Sequence, residues 1–130
     1  MFNTILLKLG FTVLALLAPI QESILAVGFL IIVDLIMGIA GALKVKEKIK
    51  SARLKNTAVK MLVYNLLLIS SFIAETYLAP YIPFVKIALG FLATVEIASI
   101  GENFEKVTGL SFLKYLKGFI NEKLNSTKKD

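Results

Sequence analysis

"ILAVGFLIIVDLIMGIAGAL", Ile24 to Leu43, carries one charged side chain, Asp34, in a run of roughly 20 residues, long enough as a helix to cross a hydrocarbon core of about 30 Å. A run this long and this apolar is suited to lipid. It sets three questions for the rest of the chain: how many such spans there are, which way they face, and why one of them contains a carboxylate.

Composition agrees with that reading. The 130 residues are 57% hydrophobic and 18% charged, whereas soluble domains are roughly 45–50% apolar even with glycine counted and about 25% charged. The expected fold class is an all-α membrane protein with three to four transmembrane helices plus a C-terminal amphipathic helix. The sequence has no cysteine and no histidine, which removes disulfides, thiolate chemistry and imidazole metal sites together. The nine carboxylates show no metal spacing, and Gly-rich phosphate loops, G-x-S-x-G and H-E-x-x-H are absent. Enzymatic activity therefore has almost no support, and no cofactor or metal is expected.

Four apolar segments divide a membrane domain, 1–110, from a tail, 111–130. They cover about 2–20, 24–43, 58–79 and 84–103. The third carries Lys60, Asn65 and Glu75 and ends at "APYIPF", where Pro80 and Pro83 cannot continue helical hydrogen bonding. The first is interrupted by Lys8 and Gly10 and closed by Pro19. It partly resembles a secretory signal peptide, but no A-x-A-like site follows and the next span begins within a few residues. A short, tilted first helix is expected, close to the minimum of about 17 residues for a span.

The charge is concentrated in one place. Between the second and third segments stand Lys44, Lys46, Lys48, Lys50, Arg53, Lys55 and Lys60 against Glu47 alone, which equals the whole net charge of +6. A nucleic-acid surface would carry interleaved aromatics for stacking, and this segment has none. Flanked by apolar spans, it reads as a basic cytoplasmic loop, 44–57, obeying the positive-inside rule. In the tail, Phe112, Leu113, Leu116, Phe119, Ile120 and Leu124 fall on one helical face with Lys114, Lys117 and Lys123 away from it, the pattern of a helix on an anionic membrane surface. A soluble helix packed on a partner is the alternative, and "NSTKKD" reads as a solvated end. Four spans and a cytoplasmic loop would put both termini in the cytoplasm.

Counted from the span ends, Asp34 lies about 15 Å and Glu96 about 18 Å below the outer edge, and Asn65 about 19 Å. Such midplane groups are normally turned onto the bundle, another subunit or water. By this count no lysine reaches that depth, so at least one of the two carboxylates is expected to be protonated, or the pair to share a proton. Glu75, near a span end, is expected to pair with Lys86 at the interface or simply to snorkel. Asp34, Gly38 and Ala42 form a small-residue seam at i, i+4, i+8, and Gly90, Thr94 and Ala98 form a second one in the fourth helix. Seams of this kind let helix backbones approach closely in lipid, and they suit burial within one chain and self-assembly equally.

"VDLIMGIAGALK", the lysine-rich loop with Ser51 and Lys60, and "EIASIGEN" (Glu96, Ser99, Ile100, Glu102, Asn103) followed by Gly109 together resemble the phage holin family that includes the toxin-secretion and phage-lysis holins of Gram-positive bacteria and their phages. The resemblance covers about Ile24 to Leu116. Its specific part is the E-x-x-S-I-x-E-N core. Members often carry a proline shortly after the glycine, whereas here Gly109 leads into "LSFLKYL". The resemblance implies a non-catalytic protein that binds membrane lipid, forms a homo-oligomer and permeabilises the membrane, so that a cell-wall hydrolase reaches its substrate or a toxin leaves. Two other readings stand beside it. One is a structural transmembrane subunit of a secretion or virion assembly. The other is a small proton-coupled transporter, against which the acid-free first segment and the absence of tryptophan both count.

Overall fold

The computed structural model describes residues 1–127, so the last three residues of the "NSTKKD" end lie outside them. The described chain is helical, with no strand among the described residues. The helices are α1 (Phe2–Leu17), α2 (Gln21–Lys44), α3 (Ser51–Ile73), α4 (Phe84–Thr108) and α5 (Phe112–Thr127).

The expected break between the first two spans is a kink and not a loop. Ala18–Ile20, with Pro19, forms a single 3-10 turn, and "QES" already belongs to the first turn of α2. Phe2–Lys44 therefore runs on as one helical unit of 43 residues, and three units are long and apolar enough to cross a membrane. Proline is tolerated here because it falls in the first turn of a helical stretch, where its missing N–H has no partner to lose. No residue of α1 is buried.

The basic segment is shorter than expected, and α3 longer. α2 ends at Lys44 in a paired closure: Glu47 N–H donates to Ala42 C=O at 2.9 Å, and Lys46 N–H to Leu43 C=O at 3.2 Å. Lys46 takes the left-handed conformation, φ 58°, that this motif requires. α3 then starts at Ser51, about two turns before the expected Ala58, because "SARLK" consists mostly of good helix formers and lysines at a membrane edge do not break a helix. The outer end of α3 widens into a π turn, Ala74–Leu78, with Ala79 N–H donating to Ala74 C=O at 2.9 Å before the two prolines.

Glu75 does not pair with Lys86. Its Oε2 accepts the Val85 N–H at 2.8 Å and so caps the first turn of α4. The cap residue there, Pro83, has no side-chain acceptor of its own, and the open N–H groups of a helix start draw a carboxylate.

α2, α3 and α4 form a three-helix bundle, with α2 packed most extensively on α4. Its core is layered along the helix axes. Val27, Ile31, Leu68, Ala88 and Leu92 form an apolar layer in the half of the bundle away from the basic turn. A charged layer follows, and below it Gly38, Gly41, Ala42 and Gly101 allow close approach. α4 ends on Gly109, whose φ of 75° is the left-handed cap that favours glycine, and Gly109 N–H donates to Glu105 C=O at 2.8 Å. The turn sends α5 back so that Phe112 and Leu113 close on Gly101, where a Cβ would stand 3.3–3.4 Å from their side chains. The turn into α5 is made by this glycine cap, with no proline following it. Along α5, Lys123 sits one turn from Phe119 with Nζ 5.9 Å from the ring centroid, so it flanks the apolar stripe and does not oppose it.

Candidate functional site: a charged layer across three helices

The helical stripes carry polar residues into the core. On α4, Ala88, Leu92 and Glu96 follow one another at i+4 and are all buried. On α3, Lys60, Tyr64 and Leu68 share the same spacing and end in a residue with no exposure. On α2, Asp34 stands between the buried Ile31 and Gly38. Counted from the helix ends beside the 45–50 turn, Asp34, Lys60 and Glu96 lie about 14 to 18 Å along the bundle, so the three meet at one level.

Lys60 holds the layer together. Its Nζ lies 2.8 Å from Asp34 Oδ2 and 3.0 Å from Glu96 Oε1. Tyr64 OH donates to the same Glu96 Oε1 at 2.8 Å. Asn103 Nδ2 approaches Asp34 Oδ1 at 3.5 Å, the outer limit of a hydrogen bond. Exposure is graded: the Glu96 side chain is fully buried, that of Asp34 is 14% exposed and that of Lys60 is 31% exposed. No buried side-chain polar atom among the described residues lacks a partner.

The expectation that no lysine reaches the midplane is therefore wrong. Starting α3 at Ser51 carries Lys60 about 14 Å into the bundle, and its four-carbon stem lets the ammonium reach both neighbouring helices. One ammonium thus stands between the two carboxylates. Lys60 belongs to the site and not to the basic membrane surface.

The remaining candidates divide. Gly38 and Ala42 are buried; Gly38 admits both Arg53 and Asn103, and a Cβ on Gly41 would stand 3.5 Å from the other end of the Asn103 amide. That seam is used within the chain. Gly90 and Thr94 are exposed on the opposite face of α4, Thr94 Oγ1 donates only to Gly90 C=O, and Ala98 is half-buried beside them. Asn65 does not join the midplane group. It lies five residues beyond Lys60, well around the helix, and its amide donates to Met61 C=O at 2.8 Å. Ser99 is half-buried and Glu102 exposed; neither touches the charged layer. Lys44, Lys46, Lys48, Lys50 and Lys55 are exposed at the end of the bundle, while Arg53 is half-buried. Tyr64 is the member that residue type alone did not single out. Its position one turn from Lys60 was the available signal.

A cleft of about 690 Å³ leads from the 45–50 turn to this layer, lined among others by Lys48, Lys50, Arg53, Asp34 and Lys60. The charged layer is thus reached from the basic end and covered by the apolar layer at the other.

A bundle of this kind, with spanning helices clipped at mid-depth by an ion-pair cluster and a C-terminal helix returning along its basic end, defines a multi-pass helical membrane protein. The bacteriophage holin family model matches residues 12–125. The chain belongs to that family. No curated protein and no solved structure matches the chain.

Proposed function

We propose that this protein accumulates in the bacterial cytoplasmic membrane, self-associates and then permeabilises it, so that a cell-wall hydrolase reaches its substrate or a toxin or other cargo leaves. The observation that carries the reading is the Asp34–Lys60–Glu96 bridge. It ties three helices together at the depth where isolated charges are least tolerated, yet it is made of groups that also suit a wet lumen. The closed chain satisfies these groups internally, and an assembly that parts α3 from α2 and α4 would turn the same groups toward water. The unused Gly90–Thr94–Ala98 seam is the surface proposed for chain-to-chain contact.

The orientation proposed puts the 45–50 turn and α5 in the cytoplasm, following their lysines. With α1 running on from α2, three crossings would put the N-terminus outside, in place of the cytoplasmic N-terminus that four spans would give.

The test is lysis timing in a host expressing the protein with a hydrolase. Wild type should give a delayed, abrupt loss of membrane potential, with crosslinked ladders in the membrane fraction. Glu96→Gln and Asp34→Asn should shift that time severalfold. Unchanged timing for both at equal membrane levels would remove the bridge from the mechanism, and no loss of potential with wild type would favour a structural subunit.

A further inference from the structure

Among the described residues, the half-buried Arg53 guanidinium has no ion-pair or hydrogen-bond partner. Its guanidinium lies over the bare backbone of Gly38, where a Cβ would collide with Nη1. Among the described residues, the only ion pairs are those of Lys60, and the Arg53 guanidinium donates no hydrogen bond. Arg53 lines the same cleft as Lys48, Lys50, Glu47 and Asn56. Because Lys60 is committed to Asp34 and Glu96, the uncommitted charge of the cleft is three cations against one acid.

The mouth of the cleft, at the 45–50 turn, lies at the height expected of lipid headgroups. Arg53 is two residues into α3, about 3 Å from the helix start, and the 45–50 turn marks where both flanking spans leave the membrane. A guanidinium fork matches two phosphate oxygens at once, and lysines on a short turn add attraction without needing fixed geometry. Leu35, on the α2 wall of the same cleft, is an apolar contact for the first carbons beyond a phosphodiester. Basic pockets between spans on the inner side suit anionic headgroups.

We propose that the α2–α3 cleft binds the phosphodiester of one anionic phospholipid per chain, with Arg53 as the fork and Lys48 and Lys50 as its outer charges. The inference needs only that the chain is embedded in a membrane and is independent of pore opening.

The experiment is native mass spectrometry of the full-length chain in detergent, titrated with phosphatidylglycerol, with phosphatidylcholine, or with inorganic phosphate. One phosphatidylglycerol should be retained per chain at roughly a tenth of the concentration that phosphatidylcholine needs. Arg53→Gln should raise that concentration at least fivefold, and the Lys48→Gln/Lys50→Gln pair up to about 25-fold, at about fivefold per interfacial charge. Lys117→Gln in α5 should leave it unchanged. Both turn lysines are exposed, so the pair decides the matter whatever Arg53→Gln does to folding. Equal retention of the two lipids, or unchanged retention in the lysine pair, would overturn the site. Inorganic phosphate held in preference to lipid would overturn the lipid assignment.

Discussion

Lys60 and Glu96, 36 residues apart in sequence, meet at 3.0 Å in the middle of the bundle, and the same ammonium reaches Asp34 at 2.8 Å. One side chain from the middle helix thus fixes the azimuth of both its neighbours. Helices in lipid gain little from burying apolar surface against one another, so a charged clip of this kind carries more of the specificity than it would in water.

Replacing Lys60 with methionine leaves two carboxylates facing each other in the core. Removing one partner of a buried pair costs about 3–5 kcal/mol, and the partial exposure of Lys60 puts the expected loss near the lower end. Thermal unfolding in detergent should show it, and adding Asp34→Asn and Glu96→Gln to Lys60→Met should recover most of the lost stability. A triple variant no more stable than Lys60→Met would show that the bridge is not what orders the helices.

Tyr64→Phe removes one donor to Glu96 while Lys60 stays in place. The expected loss is about 1 kcal/mol. In a double-mutant cycle with Glu96→Gln the two changes should be non-additive, because they share one hydrogen bond. Additive losses would place the phenol outside the cluster.

Glu75→Ala should uncap α4 and cost about 0.5–2 kcal/mol, with no comparable effect from Lys86→Ala. Amide hydrogen exchange at Val85 is the direct readout, and it should quicken in Glu75→Ala alone.

Two left-handed positions predict opposite outcomes. Gly109→Ala should destabilise by about 1 kcal/mol or more and loosen α5 from Gly101, since an added Cβ disfavours that conformation. Lys46→Gly should be neutral or stabilising by up to about 1 kcal/mol, because the folded chain already holds a lysine where glycine is preferred. Melting points of the two variants in one detergent give the comparison.

The natural absence of cysteine makes topology directly measurable. A single cysteine at Lys48 should react with a membrane-impermeant maleimide only after the cells are opened, and one at Asn3 should react in intact cells. Protection of Asn3 would restore the four-span arrangement.

Much of this protein is legible in its sequence because lipid imposes simple demands. Spans must be about 20 residues long, their backbones must bond internally, and lysines collect at one edge, so the helices and the basic turn follow from composition and order alone. The family was legible too, through "EIASIGEN", and so was the importance of Asp34 and Glu96, since carboxylates in apolar runs need a partner. The identity of that partner was not. Whether Lys60 belongs to the surface or to the core depends on where α3 begins and how far a flexible stem can reach across to two other helices, and neither is a local property of the chain. The same holds for Glu75, whose acceptor role exists only because the π turn folds it over the start of α4. For Asn65 the deciding fact is rotation about its own helix. Only packing chose which of two similar seams, Gly38–Ala42 or Gly90–Thr94–Ala98, would be spent inside the chain, because a seam is defined by the backbone that lies against it.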